Sequence, residues 1–428
     1  MGQAADPSRP NSTTNINGNS SSAARSERYY DFSSVIPQRD FGFYLEDVFK
    51  ALVSGHYLHV RAGARLDVQN GYFTGSPRIN VNYEASRKLR VGLAYGLAFK
   101  SPGLAMRYPG PTFSDIPLLN AYNGNVAESR SLIYVYRFDP TNKGLRSSGT
   151  QTAELSAQYR HEGFSFSANV YGKWSRNGIA TIKQHQALEL PVYSAEYVAG
   201  NKPIVTQTGT RNYLATYHTF KNLLRTNSQG VELMMNTPKV NAIQTSFNLS
   251  MGINRSEYHS SAPNWGEGIT TVTEPSYAYM GRYPATHYTS WFSNGRITSV
   301  THIPKISLIL QFISECNFLN KTIRAAESGI PTAYLTNDLK LVEIKSFDKN
   351  NPAYNYLLKP KSELDQENVP KMIMNFHLSV GKEIKKRYKF SFNVYNVFNY
   401  QPYYISSGGT YNFPNTSPTF GAEVSIKI

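Results

Sequence analysis

Hydrophobic and polar residues take turns along much of this chain. In the stretch 57–69, Leu58, Val60, Ala62, Ala64, Leu66 and Val68 alternate with Tyr57, His59, Arg61, Gly63, Arg65 and Asp67. A pleated strand therefore places one set on each face. The stretch 88–99 does the same, with Leu89, Val91, Leu93, Tyr95, Leu97 and Phe99 set against Arg90, Gly92, Ala94, Gly96 and Ala98. At the end of the sequence, Phe420, Ala422, Val424, Ile426 and Ile428 alternate with Gly421, Glu423, Ser425 and Lys427. A wholly apolar face on an edge strand is an aggregation hazard in a soluble sheet. It suits a strand whose apolar face meets lipid and whose edge is closed by a neighbour.

The same reading places further strands at 41–52, 77–84, 150–160, 164–176, 230–237, 245–256, 291–302, 306–316, 371–381, 388–398 and 418–428, thirteen in all. A fourteenth candidate is 28–36, with Tyr30, Phe32, Ser34 and Ile36 in phase. The longest of these exceed the five or six residues typical of sandwiches and match the roughly 9–11 that a tilted strand needs to cross a bilayer. Short links at 53–56, 85–87, 161–163, 238–244, 303–305 and 383–387 alternate with long ones at 100–149, 177–229, 257–290, 317–370 and 399–417. The link 70–76 alone breaks the size rule. Tight turns at one rim and long loops at the other are the asymmetry of outer-membrane barrels. The expected fold is an all-β, transmembrane antiparallel barrel with long extracellular loops. Those loops are expected to be folded caps, with a small hairpin at 335–344.

Composition removes the main alternatives. Charged residues are 17% of the chain, below the usual share of about 25%, while aromatics reach 13%. Mean hydropathy is −0.42, and no apolar run approaches the ~18 residues of a membrane helix. Alternation hides a lipid face from averaged hydropathy, so a barrel survives this test. The formal charge of +15 comes from Lys and Arg spread along the whole chain, with Lys385-Lys386-Arg387 the longest run, which argues against a nucleic-acid partner. Cys316 is the single cysteine, so there is neither a disulfide framework nor a Cys-based metal site. The Asn/Ser/Thr-rich start lacks the features of a secretory signal. Residues 1–27 are expected to be a disordered leader or truncated loop, and 28–428 the barrel part.

Four stretches carry a resemblance: GLAFKSPGLAMRYPGPTF (96–113), NSQGVELMMNTPKVNAIQTSFNLSMG (227–252), FNVYNVFNYQPYY (392–404) and TFGAEVSIKI (419–428). In this order they resemble the C-terminal barrel portion of TonB-dependent receptors, nearest to the SusC-like kind with a carboxypeptidase-like extension. That family folds about 22 strands around an N-terminal plug and imports nutrients by coupling a TonB box to an energised inner-membrane complex. The resemblance implies an outer-membrane nutrient receptor, here a fragment of about 13–14 strands without plug or TonB box. Its implied partners are outer-membrane lipid, the barrel-assembly machinery, a surface lipoprotein, and the TonB complex if a plug is supplied elsewhere. The family usually ends on an aromatic residue, whereas this sequence ends on Ile428.

The candidate residues follow from this frame. Phe420, Val424, Ile426 and Ile428 form the strand that assembly would recognise. His59, Arg61, Arg65, Asp67 and Arg90 face the lumen, where the arginines are expected to be solvated. Tyr108, Phe113 and Tyr122 are ligand candidates in an extracellular loop. No Walker loop, GxSxG or dinucleotide fingerprint occurs, and His56 and His59 fall on opposite strand faces. No catalytic residue, cofactor or metal site is expected. The alternative reading is a passive or non-transporting outer-membrane barrel.

Overall fold

The computed structural model describes residues 33, 35–140, 142–324, 329–359, 372–384, 387–405, 410–414 and 417–426. The predicted leader at 1–27, most of the fourteenth candidate strand, and Ile428 lie outside them. Of that strand, Ser33, Val35 and Ile36 are described and are not extended into a sheet.

Twenty-one strands and one single-turn α-helix follow one another among the described residues. The first are β1 (Asp40–Val53), β2 (His56–Gln69), β3 (Tyr72–Tyr83) and β4 (Leu89–Lys100). The helix α1 (Leu104–Arg107) precedes the hairpin of β5 (Thr112–Ala121) and β6 (Arg130–Phe138). Next come β7 (Ser148–His161), two 33-residue strands β8 (Phe164–Glu196) and β9 (Ile204–Asn236), and β10 (Thr245–Ser260). The short β11 (Asn264–Trp265) and β12 (Ala278–Tyr283) lead into β13 (His287–Ile303) and β14 (Leu308–Arg324). After β15 (Ala333–Thr336) and β16 (Leu341–Glu343) come β17 (Ile373–Ile384) and β18 (Tyr388–Tyr400). The chain closes with β19 (Tyr404–Ile405), β20 (Tyr411–Asn412) and β21 (Thr419–Ile426). No helix among the described residues is long and apolar enough to cross a membrane.

Thirteen strands form one up-and-down antiparallel wall in the order β1-β2-β3-β4-β7-β8-β9-β10-β13-β14-β17-β18-β21. Each of the thirteen stretches picked out by alternation falls on one of them. Three of its hairpins turn on two residues with positive φ, at Ser54-Gly55, Asn70-Gly71 and Glu162-Gly163, the conformation whose twist matches that of the flanking strands. Asn70-Gly71 corrects the sequence reading: β3 starts at Tyr72, so the link of seven residues expected at 70–76 is a two-residue turn.

Register shows that the wall has two chemically opposite faces. One row runs Phe49, Val60, Val81, Leu93, Leu155, Val170, Val231 and Ile253 across eight neighbouring strands. One residue along, the opposite face reads Lys50, His59, Asn82, Gly92, Ser156, Asn169, Glu232, Gly252 and Asn294. Towards the other edge, Phe312, Leu378, Val394 and Phe420 alternate with Gln311, Ser379, Asn393 and Gly421. Much of the apolar face is bare: Leu93, Leu155 and Val170 are 55%, 53% and 49% exposed, while Val60 and Val394 in the same rows are packed between their neighbours at 8%. The buried hydrophobic cluster lies elsewhere, around Ala278, Tyr334 and Leu357.

The wall is open, with β1 and β21 at its two edges. Antiparallel neighbours alternate in direction, so the first and thirteenth strands run the same way. They cannot pair antiparallel with each other, and closure needs an odd number of further strands.

Candidate functional site

On the polar face of β1–β4, charges gather in pairs. Glu46 Oε2 accepts from Arg78 Nη2 at 2.5 Å and from the Tyr44 hydroxyl, and its Oε1 lies 3.7 Å from Arg61 Nε. Glu84 Oε1 is shared by His59 Nε2 at 3.2 Å and Arg90 Nη2 at 3.1 Å. Arg65 Nε donates to Asp67 Oδ1 at 2.8 Å. All five residues expected on the lumen side therefore share one face. The arginines are more than half exposed to solvent, and each also lies beside a carboxylate. Glu46 and Glu84 carry the pairs of Arg61, Arg78, His59 and Arg90, and Asp67 that of Arg65. Further round, Tyr171 Oη accepts from Asn254 Nδ2 at 2.9 Å, and Arg296, Glu315 and His377 lie within 3.7 Å of one another in turn. A depression of about 650 Å³ opens on this face between Tyr44, Arg65, Asp67, Arg78 and Thr152. Above it, Arg107 Nη1 donates to Asn70 O at 2.6 Å and its guanidinium lies 5.2 Å from the Tyr72 ring.

On the rim with the long connections, the loops build a superstructure. The pairing of β8 with β7 stops at Gly149–Arg176, and a bulge at Asn177-Gly178 frees β8 to continue with β9 alone. From Gly178 to Glu196, at about 3.3 Å per residue, this ribbon extends on the order of 60 Å. The stretch 177–229, expected to be a loop, is thus mostly strand. β5 and β6 lean on it: Phe138 stacks on Tyr217 at 3.5 Å, and the Tyr136 hydroxyl donates to Gln186 Oε1 at 2.6 Å.

A four-stranded cap of β11-β12-β15-β16 is assembled from two separate connections. The hairpin expected at 335–344 is its β15-β16 half. The Tyr283 hydroxyl donates to Leu357 O at 2.7 Å, the Tyr356 hydroxyl to Ala278 O at 2.6 Å, and Arg282 forks onto Glu343 at 2.8 and 2.7 Å. The cap sits on the ribbon through Asn212 Nδ2, which donates to Asp338 O at 2.9 Å, and through His185, whose ring meets Trp265 edge-on at 5.1 Å. His185 Nδ1 lies 3.0 Å from Thr216 Oγ1, while its buried Nε2 has no partner. Burial, then the nearby Lys183 and His218, hold its pKa below the ordinary 6.5. Ribbon and cap enclose a cleft of about 690 Å³ with Glu189, Arg211, Tyr213, Tyr279 and Asn337 in its walls.

The three loop tyrosine and phenylalanine candidates sit on different elements. Tyr108 caps α1 against Arg107 at 5.3 Å, Phe113 lies within β5, and the Tyr122 hydroxyl donates to Gly124 O at 3.1 Å. On β21, Phe420, Val424 and Ile426 share the apolar face, 68%, 58% and 57% exposed. Trp291 lies beside Arg255 on that same face of the wall, whereas Phe292 pairs with Asn254 on the opposite one. Among the described residues no three His, Cys, Asp or Glu side chains gather in a metal-binding cluster.

An up-and-down sheet with one polar and one apolar face, and folded loops on one rim only, defines a barrel-type receptor wall. The TonB dependent receptor-like, beta-barrel family model matches residues 2–397. The chain belongs to this family, which is one of receptors and transporters and not of enzymes. Solved structures with a similar fold include two mutants of the ferric enterobactin receptor (PfeA) from Pseudomonas aeruginosa. Each is 14% identical, with a TM-score of 0.44, covering 84% of this chain and 40% of the receptor. A ferric enterobactin receptor (PfeA) in complex with BCV-L6 is 13% identical, with a TM-score of 0.45, covering 90% and 45%. The chain thus spans less than half the length of these structures. No curated protein matches it.

Proposed function

We propose that this chain is the barrel wall and extracellular superstructure of an outer-membrane, TonB-dependent nutrient importer. The observation that carries this reading is the pair of faces that register traces through the wall, one bare and apolar and the other polar and ion-paired. Bare aliphatic rows on this scale are stable in hydrocarbon and not in water. The polar face, with His59, Arg61, Arg65, Asp67 and Arg90, lines the lumen. The cleft between ribbon and cap receives the nutrient, which then passes down the polar face. Two open edges of like direction support a wall completed by further strands, with the TonB complex engaged if a plug segment is supplied elsewhere and β21 engaged by the barrel-assembly machinery.

Membrane fractionation with heat-modifiable gel mobility tests the location, and planar-bilayer conductance tests the function. The importer reading predicts an outer-membrane protein that forms no steady pore. A soluble cytosolic monomer contradicts the membrane assignment, and stable pores favour a passive barrel.

A further inference from the structure

A groove of about 530 Å³ runs down the apolar face across β7, β8, β9 and β10. Its floor is aliphatic, made by Leu155, Val170, Val231 and Ile253. Its end towards the long connections is framed by Trp174, Trp291, Gln229 and Arg255. Gly172 leaves room for the Trp174 ring to lie across the strand at that end: a Cβ there would run into it.

The charges around that end are unusual for a face otherwise made for hydrocarbon. Register places Arg255, Trp291 and Lys321 side by side, and Arg225 opposite His259 above them. Arg255 lies 5.6 Å from the Trp291 ring and is ion-paired with Glu257. Arg225 and Lys321 make no ion pair among the described residues, and both are exposed. Three cations and one carboxylate thus stand at the level where tryptophans mark the membrane boundary. At that level long basic side chains reach the headgroup layer at little cost, and a headgroup phosphate is the anion within reach.

We propose that this groove binds one outer-leaflet lipid. An acyl chain lies over Leu155, Val170, Val231 and Ile253, and a phosphate-bearing headgroup is held by Arg255, Lys321 and Arg225. The inference rests on the membrane reading above. The area is a boundary between apolar and basic residues, which fits a lipid better than a protein partner of either character alone.

The test is native mass spectrometry of the full chain, extracted from membranes in mild detergent and titrated with a diphosphorylated glucosamine-based lipid or its dephosphorylated twin. The phosphorylated lipid should bind more tightly. Each cation near the headgroup contributes about fivefold, so Arg225→Gln with Lys321→Gln should weaken binding about thirtyfold. Glu257→Gln frees Arg255 and should tighten binding. Gly172→Leu fills the floor and should abolish binding of both lipids; heat-modifiable mobility shows whether that variant has folded. Equal binding of the two lipids, or an unchanged double variant, overturns the proposal while leaving the barrel reading intact. A wild-type chain absent from the membrane fraction overturns the barrel reading itself.

Discussion

Asn169 and Val170 are chain neighbours on opposite faces of β8, and the fold makes opposite demands of them. Val170 stands in the apolar row between Leu155 and Val231, and Asn169 in the polar row between Ser156 and Glu232. Val170→Arg should cost about 2–4 kcal/mol of barrel stability, as for a cation near mid-membrane on a lipid face. Asn169→Arg, beside Glu232, should cost little. Urea unfolding in lipid vesicles, followed by tryptophan emission, compares the two.

At the junction of ribbon and cap, His185 is held neutral by burial and by Lys183 and His218. Its folded pKa lies below the ordinary value, so its contribution is fully present above about pH 6.5 and is lost as pH falls from there through the lower folded value. Proteolysis of the cap should therefore speed up as the pH drops from 7.5 towards 5, and His185→Phe should flatten that dependence. No motif marks this histidine in the sequence. Its surroundings come from Thr216, thirty-one residues on, and Trp265 beyond that.

The elements were legible in proportion to how strongly each side of a strand is told apart by its solvent. In β2 and β4 the contrast between lipid face and polar face gives unbroken alternation, and the sequence alone places both strands within a residue or two. In the ribbon, both faces of Thr181–Gln186 carry polar groups, with Ile182 alone buried among them. This two-stranded ribbon, paired only within itself, has no face set against a single uniform neighbour, so the two-residue period fades and only β-branched content remains as a signal. Asn70-Gly71 was readable as a hairpin turn and is the clearest missed cue. The cap was hidden for another reason, because β12 and β15 come from different connections and pair across some fifty residues.

The cap also has a hydrophobic core of its own, which makes it separable from the wall. Leu357 is 3% exposed against Ala278 and Tyr334. Leu357→Ala should cost the cap about 2–5 kcal/mol. Limited proteolysis should then cut within the cap at lower temperature, while the heat-modifiable mobility of the barrel stays unchanged. Loss of both together would mean that cap and wall unfold as one unit.

For the whole molecule, everything follows from a wall with two unlike faces and two edges of like direction. The family match gives the architecture, and register shows one side of the wall apolar and the other polar. Importer, lumen and lipid groove all rest on that asymmetry. The most direct measurement is a cysteine scan along Ser167, Ala168, Asn169, Val170 and Tyr171 in a Cys316→Ser background, with a fluorophore on each thiol in native-like membranes. Labels at 168 and 170 should be quenched by brominated lipid, and labels at 167, 169 and 171 by an aqueous quencher. Quenching from the aqueous phase at every position, or from neither phase at 168 and 170, would contradict the account.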